Sequence, residues 1–131
     1  MKRKRYPPDD PREWLNRAKS NLVRASTAVP DVLLEDLCFD AQQAAEKAIK
    51  AVFIKRRETF PYIHDLERLL RLLERNGQKV PRYVHEAKEL SQYAFETRYP
   101  GLVGPVGRRQ YRRSVRIATA VLLWAERLVG R

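Results

Sequence analysis

Apolar residues recur every three or four positions along nearly the whole chain, in five stretches, and none of them alternates in the period-two manner of a half-buried strand. That pattern predicts helices packed on helices. In the first stretch Trp14, Ala18, Leu22, Ala25 and Val29 form one stripe, which predicts a helix from about Pro11 to Ala28. Asp10 stands before it as an N-cap. Pro11 occupies the first turn, where its missing N–H is not needed, and Glu13 completes a capping-box-like pair.

A second helix is predicted from about Val32 to Arg57, with Leu34, Leu37, Ala41, Ala45, Ala48 and Val52 as its stripe and Ile49 and Phe53 alongside. So many alanines on one face imply close helix approach, within the bundle or between subunits. Leu66, Leu69, Leu70 and Leu73 mark a short third helix from Asp65 to Asn76, and Gly77 stands where a C-terminal glycine belongs. Pro81 opens a fourth helix carrying Val84, Ala87, Leu90 and Ala94. It is expected to stop near Tyr99 because Pro100 follows. A loop with Gly101, Gly104, Pro105 and Gly107 leads to the last helix, along which Tyr111, Val115, Ala118, Leu122, Ala125 and Val129 keep the stripe. Short connections favour antiparallel neighbours, so the expected fold is all-α, an antiparallel up-and-down bundle of four to five helices. Residues 1–10 read as a basic, mobile arm and residues 11–131 as a single domain.

The arm has positive charge but no apolar run after it, so no secretory leader is expected. The apolar run Ala120 to Ala125 is far shorter than the ~20 residues that cross a bilayer, so no membrane association is expected. One cysteine, Cys38, makes no internal disulfide, in keeping with a cytoplasmic protein. Lys and Arg number 27 against 16 acidic residues, a formal net charge of +11. Arginine's planar fork suits phosphate, so the excess points to nucleotide or nucleic acid, against the plainer reading of a solvated surface.

The densest charge is Arg108, Arg109, Arg112, Arg113 and Arg116, without an acid, in the first turns of the last helix. Cations are misplaced there with respect to the helix dipole, but exposed amides, a glycine-rich approach and arginines together suit an anion. Lys55, Arg56 and Arg57 end the second helix, where the dipole alone accounts for them. They border the loop Glu58 to Asp65, in which His64 can titrate near neutral pH and Asp65 can cap the third helix. His85 reads as a helix-surface residue, and Glu35, Asp36 and Asp40 as a solvated face. Two histidines and one cysteine without a Glu-x-x-His pair predict no metal site and no cofactor. The glycines match neither the dinucleotide fingerprint nor the P-loop.

The run Asp40-Ala41-Gln42-Gln43-Ala44-Ala45-Glu46-Lys47-Ala48-Ile49-Lys50-Ala51 resembles the second-helix signature of HEPN-domain proteins (higher eukaryotes and prokaryotes nucleotide-binding). His64-Asp65-Leu66 resembles the family's His-Asp-Leu helix start, and Arg98-Tyr99-Pro100-Gly101 its Arg-Tyr-Pro turn. Order and spacing agree from about Pro11 to Leu128. The resemblance implies a bundle, usually homodimeric, acting in nucleotide or RNA biology. Some relatives are metal-independent ribonucleases, including toxins of toxin–antitoxin systems, and others accompany a minimal nucleotidyltransferase.

Ribonuclease members carry an Arg, then a polar residue, with a His four to six residues after the Arg. Here Arg57 and His64 stand with six residues between, but Glu58 follows the Arg and the pair precedes the third helix rather than a late one. Metal-free RNA cleavage needs a group that titrates near neutrality and a cation for the developing phosphorane charge. His64 with Arg57 or Arg98 would supply both. Three readings follow: a nucleotide- or RNA-binding protein using Arg98, Tyr99, Arg108, Arg109, Arg112 and Arg113; a metal-independent ribonuclease toxin using His64 and Arg57; or a non-catalytic interaction module.

Overall fold

The structure, a computed structural model, describes residues 3–95 and 104–130. It is all-helical among these residues, with helix α1 at Pro11–Ser26, α2 at Leu34–Lys55, α3 at Leu66–Arg75, a single turn α4 at Arg82–His85 and α5 at Arg108–Val129. A 3-10 helix, Glu86–Ala94, continues directly from α4. The fourth segment is therefore not the regular α-helix expected. Its buried side chains Val84, Ala87, Leu90 and Tyr93 are spaced by three, the repeat of a 3-10 turn, so one straight face meets the core.

Helix α2 is the centre of the molecule, packed against α1, α5 and the 3-10 helix. Ala41, Ala44, Ala45, Ala48 and Ala51 are fully buried within this one chain. Their small side chains let neighbouring helix backbones approach closely. This decides between the two roles open for the alanine face: it is interior to the bundle, not a subunit surface. Leu66, Leu69, Leu70 and Leu73 of α3 are also fully buried, as their spacing predicts.

The helix ends are set by local chemistry. Asp10 accepts from the Arg12 N–H and caps α1, but Glu13 does not complete the box. Glu13 is buried and accepts instead from Arg5 and from the Tyr6 backbone N–H. With Asn16 donating to the Lys4 carbonyl and Trp14 to the Pro8 carbonyl, residues 3–10 lie along α1. Helix α1 ends at Ser26, where Ser26 and Thr27 hydroxyls turn back onto the Leu22 and Val23 carbonyls. At the end of α3, Gly77 adopts φ +99°, with its N–H bonded to the Glu74 carbonyl and that of Gln78 to the Leu73 carbonyl. The end of α2 repeats this motif, but with Arg57 at φ 57° in the left-handed position. There the Arg57 N–H reaches the Ile54 carbonyl and the Glu58 N–H the Phe53 carbonyl.

Candidate functional site

The loop between α2 and α3 is held at both ends. Phe60 packs edge-on to Trp14 at 5.7 Å and beside Phe53 at 5.8 Å between centroids. At the far end Asp65 accepts from the Arg68 N–H, and the Leu66 N–H donates to the Ser91 hydroxyl of the 3-10 helix. These anchors bring His64 over one face of α2, with its ring edge-on to Phe95 at 6.1 Å.

On that face Gln42, Glu46 and Lys50 are buried, one turn apart each. Glu46 Oε1 accepts from Gln42 Nε2 at 2.8 Å and is 2.9 Å from His64 Nδ1. Its Oε2 accepts from Lys50 Nζ at 2.9 Å. Burial pushes the Glu46 carboxyl up, but the bonds from His64, Lys50 and Gln42 outweigh it and hold the group below its ordinary value. An ionised carboxylate only accepts, so the shared proton sits on His64 Nδ1. The half-exposed imidazole is thereby fixed in orientation, and its Nε2 has no hydrogen-bond partner among the described residues. The Lys50 ammonium also lies 5.1 Å from the Phe60 ring centroid, which ties the network to the loop anchor.

Arg57 is not joined to this network by any hydrogen bond, ion pair or ring contact among the described residues. Its exposed side chain lines a cleft of 970 Å³ with Thr59, Pro61 and Asn76, and His64 is not part of that wall. The neighbouring Arg56 is structural: it donates to Glu58, Gln78 and the Asn76 carbonyl, stitching the ends of α2 and α3 together. His85 likewise pairs with Glu74 of α3 at 3.0 Å.

The start of α5 forms a separate basic surface. Its position is fixed by the buried Val106, whose N–H donates to Glu35 at 2.9 Å, and by Tyr111, whose hydroxyl donates to the Ala25 carbonyl at 2.6 Å. Gln110 accepts from the Gly107 N–H, and no acidic residue stands in the first turn. Arg108, Arg109, Arg112 and Arg116 are exposed and form no ion pair among the described residues. Arg113 differs. It donates to Glu89 at 2.6 Å and to Glu86 at 3.1 Å, which raise its pKa and hold the Glu89 carboxyl below its usual range. Arg98 and Tyr99 lie outside the described residues.

The network on α2 is what sequence reading missed. Gln42, Glu46 and Lys50 recur every fourth residue, a visible stripe, but a polar stripe on a helix reads as a solvated face. Asp40 was expected in such a face too, yet it is buried and accepts from Asn21 at 3.1 Å. Burial pushes the Cys38 thiol up, so it is a packing residue and not a nucleophile. Among the described residues no three His, Cys, Asp or Glu side chains gather as metal ligands, and no helix is long and apolar enough to cross a membrane.

A central alanine-rich helix packed against α1, α5 and the 3-10 helix, with Asp65 capping α3, makes the described residues an all-helical bundle. The chain belongs to the HEPN domain family, whose model matches residues 11–128. Among solved structures it is similar to TT1696 from Thermus thermophilus, at 31% identity and a TM-score of 0.80, over 90% of this chain and 97% of that one. It also shares its fold with ST0689, described as an archaeal HEPN homologue, at 23% identity and a TM-score of 0.72, over 92% and 98% of the two chains. No curated protein matches the chain.

Proposed function

We propose that this HEPN protein binds the phosphates of nucleotide or RNA through Arg108, Arg109 and Arg112 at the start of α5. The observation that carries this reading is that these three guanidinium groups are exposed, with no ion pair among the described residues, beside the first-turn amides of a helix, where the dipole favours an anion rather than a cation. A phosphate placed there relieves that mismatch and takes charge-assisted bonds from the arginine forks. Arg113 holds the patch to the 3-10 helix through Glu89 and Glu86 instead of meeting the ligand. Family resemblance extends the proposal to a cytoplasmic homodimer working beside a minimal nucleotidyltransferase in a toxin–antitoxin setting. The test is retention of a mixed single-stranded RNA by wild type and by the Arg108→Ala, Arg109→Ala, Arg112→Ala triple variant. Equal retention by the two defeats the proposal.

The Glu46–His64 bond favours a second reading, metal-independent ribonuclease activity with His64 as acid–base. A carboxylate-oriented imidazole is suited to take the 2′-hydroxyl proton. The phosphate cation in this reading is Arg98 or Arg57, although Arg57 faces a different cleft. Metal-free cleavage of RNA by wild type, lost in His64→Ala, supports this reading. The same absence of cleavage in both proteins rejects it.

A further inference from the structure

A second basic cluster lies along α1. A cleft of 520 Å³ is lined by Arg3, Arg5, Arg17 and Arg24 together with Asn16 and Ser20. Its volume is that of a small-ligand site. Arg17, Ser20 and Arg24 share one face of the helix at spacings of three and four, and Arg17 and Arg24 stand about 10 Å apart along the axis. Arg3 and Arg5 come from the arm that lies along the same helix.

The arginines are held, yet not used up. Among the described residues Arg17 gives its Nε to Glu13, at 3.2 Å, and Arg24 forms a looser ion pair through Nε with Asp40, at 3.5 Å. Arg3 gives NH1 to the Asn16 carbonyl at 2.7 Å. The two carboxylates lie beneath, with side chains 5% and 8% exposed, while Arg5, Arg17 and Arg24 are 64%, 61% and 69% exposed. Each guanidinium has five donors, so each anchored edge leaves others facing the cleft. Four cations thus present donors over two buried anions. Burial lowers the pKa of Lys47 on α2, and the nearby Arg17 lowers it further, as a positive surrounding does. Prepositioned forks lose little freedom when a ligand arrives.

We infer that this α1 cleft is a second anion site, built for two or three phosphates in a row, as in a polyphosphate chain or a short stretch of nucleic-acid backbone. A single small anion would leave half of the four guanidinium groups unmet across that ~10 Å span. The inference does not rest on the α5 reading, because it concerns different residues and a different helix.

The experiment is calorimetric titration of the full chain with inorganic tripolyphosphate and, separately, with a short oligoribonucleotide, in buffered salt. Three proteins are compared: wild type, the Arg17→Ala, Arg24→Ala double variant, and the triple variant of α5. Arg5 is left in place because the buried Glu13 depends on its donors. Both substituted cleft side chains are exposed, and matched melting curves check that the fold is kept. The expected result is that the double variant binds at least one of the two probes about tenfold more weakly, whether or not the α5 variant is also weakened. Loss with tripolyphosphate identifies a polyphosphate chain as ligand, and loss with the oligoribonucleotide alone identifies the phosphodiester backbone. Unchanged binding of both probes by the double variant overturns the inference. Loss in the α5 variant alone overturns it too and leaves the α5 reading standing.

Discussion

His64 Nδ1 lies 2.9 Å from Glu46 Oε1, so a loop residue ahead of α3 is fastened to a buried carboxylate in the middle of α2. The same carboxylate neutralises Lys50, which is itself buried. Removing Glu46 therefore does two kinds of damage. Glu46→Ala leaves an uncompensated ammonium and an unmet Gln42 amide, and a cost of about 3–5 kcal/mol is expected in urea unfolding. His64→Ala removes a half-exposed partner and is expected to cost about 1 kcal/mol or less. Equal losses in the two variants would show that Glu46 is not the centre of the network.

The carboxyl's displacement carries a sign for pH. Glu46 is held below its ordinary 4.5 in the folded chain, so the unfolded chain binds its proton more readily. Its contribution is fully present above that unfolded value and is lost as pH falls through the lower folded one. Glu89, paired with Arg113, acts in the same direction, though more weakly because that pair is partly exposed. Unfolding free energy measured from pH 7 downwards is expected to fall below pH ~4.5, with a shallower fall in Glu46→Gln. An identical slope in the variant would remove Glu46 from this account.

Two helix ends share one motif but not one residue type. Arg57 pays for φ 57° with a Cβ, whereas Gly77 at φ +99° does not. Arg57→Gly is expected to leave stability unchanged or raise it by up to about 1 kcal/mol, and Gly77→Ala to lower it by about 1 kcal/mol. A Cβ on Gly77 would meet Arg56 at 3.8 Å, an ordinary contact, so that cost is backbone strain and not a clash. Thermal unfolding of the two variants checks the opposite signs.

The alanine face of α2 gives a third contrast. Ala45 and Ala48 are fully buried against the chain's own helices. Ala48→Leu is expected to overpack the bundle and cost about 1–3 kcal/mol. A variant of unchanged stability but altered assembly would instead place that face between subunits.

Much of the fold is readable from spacing, and the exceptions have physical causes. The α3 leucines and Gly77 follow local rules, and the structure keeps them where those rules put them. The 3-10 helix was readable too, since Val84, Ala87, Leu90 and Tyr93 recur every third residue. Helix propensity in Glu86 to Ala94 argues for an α-helix and masks that repeat. Glu46 and Lys50 defeat a reading by polarity because their burial is created by a distant segment, the His64 loop, closing over α2. Arg113 defeats a reading by charge because Glu86 and Glu89 reach it from another helix. Arg108, Arg109 and Arg112 show the opposite case: the run of like charge was legible, and they remain exposed.

The central claim is that the α5 arginines take phosphate, and the most direct measurement is the salt dependence of binding to a single-stranded RNA. Each phosphate contact on a single strand contributes about 0.7 to the slope of log affinity against log salt. Wild type is predicted to bind steeply less as salt rises, and the Arg108→Ala, Arg109→Ala, Arg112→Ala variant to bind more weakly with a slope shallower by about 2. The same affinity and slope in both proteins would contradict the claim.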